Sequence, residues 1–82
     1  MSKKGKLKRE IEDSEREIEA LEAKRERSQI AVMRAMLTGT KPSPEDEHYF
    51  ITFSNLIDEE RKHLRSLYAE LEELKHKKKK KQ

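Results

Sequence analysis

The chain contains no cysteine and no tryptophan, and its 82 residues include only two glycines and two prolines. Without cysteine there is no disulfide framework and no thiolate metal site, which fits an intracellular protein, nuclear or cytoplasmic. Gly5 and Gly39 stand far apart, so no glycine-rich loop exists to cradle a phosphate. No apolar run approaches the roughly 18 residues of a membrane span. The opening MSKKGKLKRE is basic but no hydrophobic region follows it, unlike a secretory signal. Both ends are equally compatible with boundaries inside a longer chain. Hydrophobic residues make up 32% and aromatics 5%, too little for a compact globular core in a chain of single-domain length. With 45% charged residues, two classes remain: a disordered chain, or long helices with a narrow apolar seam.

Periodicity selects the helices. Leu7, Ile11, Ile18, Leu21 and Val32, completed by Ser14, Arg25, Ser28 and Ala35, advance in alternating steps of four and three. Phe50, Phe53, Ile57, Glu60, Leu64, Leu67, Leu71 and Leu74 repeat the pattern. The residues between are mostly Glu, Lys, Arg and Ala, all good helix formers. Pairs such as Glu12 with Arg16 and Glu73 with Lys77 support the exposed faces.

The stretch MLTGTKPSPEDEHYF, from Met36 to Phe50, breaks the pattern. Gly39 suits the left-handed position just past a helix end. Pro42 forbids continuation, because it lacks an N–H and its ring clashes with the preceding turn. Ser43 is a good N-cap, Pro44 fits the first helical position, and Glu45, Asp46 and Glu47 suit the positive end of a helix dipole. The expectation is a first helix at about 3–38, a turn at 39–43, a second helix at about 44–78 and a basic tail over 75–82. So short a connection demands antiparallel arms. The predicted fold class is all-α, an antiparallel two-helix coiled-coil hairpin able to dimerise into a four-helix bundle.

Matching apolar layers between arms of equal length places Val32 opposite Ile57, Leu21 opposite Leu67 and Ile18 opposite Leu71. Arg25 and Ser28 then lie beside Glu60 as a polar layer in mid-seam. The simplest role for such a layer is a register-setting ion pair, which adds little stability but penalises slipped registers. A functional notch is the alternative.

An antiparallel hairpin has two unlike ends. At one, Lys3, Lys4, Lys6, Lys8 and Arg9 meet Lys75, Lys77, Lys78, Lys79, Lys80 and Lys81. This basic pole suits nonspecific nucleic acid, an anionic surface or an import receptor, or is a solvated tail that offsets the helix dipole. It has no aromatic stacking platform and no base-reading helix face. Near the turn, more apolar residues occur than a two-helix seam can bury. Ile30, Met33, Met36, Leu37, Tyr49, Phe53 and Leu56 are the candidate protein interface, for a second copy or for an amphipathic partner helix. Ile51 lies outside the seam as well.

Other chemistry is weaker. Glu45/His48, Glu60/His63 and Glu73/His76 have the spacing of ligands in di-iron bundles, but those sites need four converging helices, so no metal and no cofactor is expected. A thin hairpin offers no enclosed pocket, hence neither a small-molecule substrate nor an enzyme is expected. Ser43-Pro44 is a minimal proline-directed phosphorylation motif, though cap and first-turn roles already explain both residues. In outline the pattern resembles antiparallel coiled-coil modules at large, among them small-GTPase-binding hairpins and histone-complex or kinetochore-type subunits. That likeness is architectural and assigns no residue a role. The expected function is a non-enzymatic interaction and scaffold module, self-associating as a homodimer through the apolar face near the turn. The alternative is a nucleic-acid-associated protein gripping phosphates through its lysine pole.

Overall fold

The computed structural model describes the backbone of residues 2–80 and the side chains up to His76. Two helices form an antiparallel hairpin: α1, Lys3–Thr38, and α2, Pro44–Lys80. The rod measures 61 × 21 × 14 Å. Its helix ends match those expected, except that α2 continues two residues further, into the basic tail. No helix among the described residues is long and apolar enough to cross a membrane.

Local chemistry explains each boundary. Ser2 caps α1, accepting a hydrogen bond at Oγ from the Gly5 N–H at 3.0 Å. At the other end Gly39 has φ 69°, ψ 24°, the left-handed region that a side chain disfavours. The Thr40 N–H donates to the Ala35 carbonyl at 2.8 Å and the Gly39 N–H to the Met36 carbonyl at 3.3 Å. These two bonds are the pair that defines a Schellman end. Ser43 opens α2: its Oγ accepts from the Asp46 N–H at 3.1 Å and its hydroxyl donates to Asp46 Oδ2 at 3.0 Å. Ser43 is thus the N-cap, and the Asp46 carboxylate it holds sits at the positive end of the dipole.

Every expected seam position faces the other arm. Leu7, Ile11, Ser14, Leu21, Ser28 and Ala35 are buried on α1, with Ile18, Arg25 and Val32 half-buried. On α2 Ile57, Leu67 and Leu71 are buried, with Phe50, Phe53, Glu60, Leu64 and Leu74 half-buried. Leu7, Ile11, Leu67 and Leu71 form the apolar cluster, with Leu64 and Leu74 packed on it. Each such side chain contributes roughly 1.5–3 kcal/mol when fully buried.

The axial alignment differs from the expected one by about two helical turns. Leu71 clusters with Leu7 rather than lying opposite Ile18, and Leu67 with Ile11 and Leu7 rather than with Leu21. Cross-arm contacts agree: Glu15 meets Tyr68 and Glu22 meets Arg61. The reason is the turn. The chain reverses within Gly39–Ser43, so the arms fold about that point. The layer matching assumed for the sequence would place the reversal inside the first turn of α2, where Pro44 and the Ser43 cap already hold a helix.

Candidate interaction surfaces

Arg25, Ser28 and Glu60 do not form one polar layer. The register separates them. Glu60 Oε2 accepts from the Ser14 hydroxyl at 2.7 Å. Arg25 Nη1 donates to Ser54 Oγ at 3.0 Å, and its guanidinium lies 5.7 Å from the centre of the Phe50 ring. Ser28 donates to the Arg25 carbonyl at 2.9 Å, within α1. The Arg25 Nε is buried without a hydrogen-bond partner. The seam therefore carries a cation and a carboxylate at different levels, each held by a serine hydroxyl rather than by the other.

The apolar residues near the turn divide by flank, and the heptad positions show how. Seam residues occupy positions a and d. Glu15 and Glu22 on α1, and Tyr68 and Arg61 on α2, fall at e and meet across one side of the hairpin. We term this the e flank. On the opposite side Tyr49 shares an open groove with Lys24, Arg27 and Ala31 of α1. Leu56 is one heptad beyond Tyr49 and lies on that second flank too. Met36 is at e, Met33 at b, and Ile30 and Leu37 at f, so these four run from the e flank around the back of α1. Phe53 is half-buried and stacks on Tyr49 with ring centres 5.1 Å apart.

The seven expected interface residues thus form no single patch. Ile30, Met33, Met36 and Leu37 belong together; Tyr49 and Leu56 face the other way. Met36 and Leu37 are 75% and 85% exposed. Sequence reasoning left Ile51 out of the candidate interface. It is 50% exposed at position b of α2, on the same flank as Met33 and Met36. Its heptad letter was the signal that marked it. No protein-family model, curated protein or solved structure matches this chain.

At the far end Lys3, Lys6, Lys8, Arg9 and Lys75 are exposed and Lys4 is half-buried. Lys3 and Leu7 line one shallow depression with Glu70, Glu73 and Leu74, so the basic start of α1 lies beside glutamates of α2. Lys75 Nζ is 3.6 Å from Glu72 Oε2. The side chains of Lys77, Lys78, Lys79 and Lys80, and all of Lys81, lie outside the described residues. The first turn of α1 has lysines and no acidic residue, opposite to what its dipole favours.

The Tyr68 phenol is shifted from its ordinary value. Tyr68 donates to Glu15 Oε2 at 2.9 Å, and this hydrogen bond, then desolvation, then the Glu15 charge, raises its pKa above 10.0. His63 shares a shallow depression with Glu10, Asp13, Glu17 and Glu60. Among the described residues no group of three His, Asp or Glu side chains is placed to hold a metal ion.

Proposed function

We propose that this hairpin is a non-enzymatic coiled-coil assembly module, intracellular, that self-associates through apolar residues near its turn. The observation that carries this reading is the exposure of Ile30, Met33, Met36, Leu37 and Ile51 around one side of the tip. Such a cluster exceeds the scattered apolar residues that any surface shows. The thin seam adds support, because a lone pair of helices is only marginally stable and gains from further packing. Sedimentation equilibrium at low and at moderately high salt tests it. A dimer at both salts is the expected outcome. A monomer at every concentration sinks the reading and leaves the tip for a different protein.

A second reading is favoured by the exposure of Lys3, Lys6, Lys8 and Arg9 at the start of α1. It makes the pole a nonspecific grip on nucleic-acid phosphates. Replacing Lys77 to Lys81 by Gln then weakens binding to duplex DNA and flattens its salt dependence. Unchanged binding removes this reading.

A further inference from the structure

The e flank has a charge pattern as well as an apolar tip. On α1 its e and b positions from Glu12 to Glu26 are all acidic, Glu12, Glu15, Glu19, Glu22 and Glu26, bounded by Lys8 and Gln29 at the neighbouring e positions. On α2 the same flank carries Arg61, Arg65 and Lys75. Its acidic members are Glu47, in the first turn of α2, Asp58 and Glu72, and the last two are each within ion-pair distance of a neighbour on α2, Arg61 and Lys75. Among the described residues Arg65 pairs with no carboxylate and Glu19 with no cation. The flank is thus acidic along the middle of its α1 edge and mixed in charge along its α2 edge, where Arg65 is a cation in no ion pair among the described residues, with apolar side chains from both helices at the turn end.

Levels along the rod follow from the contacts Glu15–Tyr68 and Glu22–Arg61. Continuing that ladder sets Arg65 level with Glu19 and Ile51 level with Met33. These pairs lie at one height but on different helices. They suit a second copy turned face to face, because a two-fold axis running parallel to the rod lays each α2 over the other copy's α1. Met33 and Met36 then meet the other copy's Ile51, twice by symmetry, and Glu19 meets its Arg65. Such an isologous contact requires a self-complementary surface, which this flank provides. Reversing the second copy end for end would set Met33, Met36 and Ile51 against the charged stretch instead.

From this charge and height match we infer that the e flank, with Met33, Met36, Ile51, Glu19 and Arg65, is a docking surface for a second copy of this chain, the two turns at the same end. The inference rests on the self-association reading and specifies its face and symmetry. Four helices result, each α1 flanked by its own α2 and by the other copy's. Tyr49 and Leu56, on the opposite flank, stay outside the contact.

The test is the dimer dissociation constant from sedimentation equilibrium, for the full chain and surface variants, with circular dichroism confirming that each stays helical. Ile51→Glu is expected to raise Kd more than tenfold, as an apolar contact is lost twice. Leu56→Glu, equally exposed on the other flank, is expected to change it less than about twofold. Glu19→Arg and Arg65→Glu each weaken the dimer by roughly three- to tenfold, and the double variant recovers most of that loss. A dimer broken by Leu56→Glu but not by Ile51→Glu overturns the assignment of the face. A dimer that Ile51→Glu breaks and the double charge reversal does not recover overturns the two-fold arrangement. Both results leave self-association standing, whereas a wild-type chain that stays monomeric removes the wider reading too.

Discussion

The half of the hairpin near the termini keeps most of its apolar residues between the arms, whereas the half near the turn carries many on the outside as well. In the terminal half Leu7, Ile11, Leu67 and Leu71 are buried between the arms, and the outer faces are charged. In the turn half the α1 seam is Arg25, Ser28, Val32 and Ala35, while Ile30, Met33, Met36 and Leu37 point outward. The same helix is zipped from inside at one end and apolar from outside at the other. The terminal half holds the fold through burial. The turn half relies on Ile57, which has no exposed surface, and on the caps at Gly39 and Ser43. That leaves its outer apolar surface free for association.

The largest effect separates the halves directly. Leu67→Ala should cost about 2–4 kcal/mol, enough to unfold much of a marginal hairpin. Leu37→Ala should cost less than about 0.5 kcal/mol in dilute solution, since its side chain is exposed. Thermal melts followed by circular dichroism measure both, and equal losses would erase the contrast. Next in size, Gly39→Ala should cost about 1–2 kcal/mol, because the left-handed backbone rather than crowding excludes a side chain there. The same melts report it, and no change would mean that the turn half does not depend on its cap.

A gain is expected from the cation in the seam. Arg25→Leu should stabilise the hairpin by up to about 1 kcal/mol, because a partly buried cation with an unpartnered Nε is replaced by an apolar side chain. Urea titration checks it, and a clear loss would show that the Ser54 and Phe50 contacts outweigh that cost. The smallest effect concerns pH. The contact with Glu15 favours the neutral phenol of Tyr68, so its contribution is fully present below pH 10.0 and is lost as pH rises through the higher folded value. In a Tyr49→Phe background, ultraviolet titration should show one phenol ionising above the ordinary tyrosine range. Glu15→Gln should bring it down. A phenol titrating at 10.0 in both would remove the contact from the solution structure.

Most of the secondary structure was readable because its signals are local. A glycine past the last seam residue, a proline that cannot continue, a serine cap and three acids in the next turn act within a few residues of each other. The Ser2 cap could have been read in the same way, from its place immediately before the first lysines. The candidate site was less legible. The surplus of apolar residues near the turn was visible, but Tyr49 and Leu56 were grouped with Met33 and Met36 by proximity in sequence. Ile51, which shares their flank, was left out.

The sequence alone determined which face of each helix turns inward, because a four-three repeat defines an angle around the axis and caps define its ends. It did not determine how far one arm slides along the other. A heptad pattern looks the same after every seven residues, so neighbouring registers bury equally plausible layers. Only the closed turn chose among them. That choice gave Glu60 to Ser14 and Arg25 to Ser54, and set Arg65 level with Glu19.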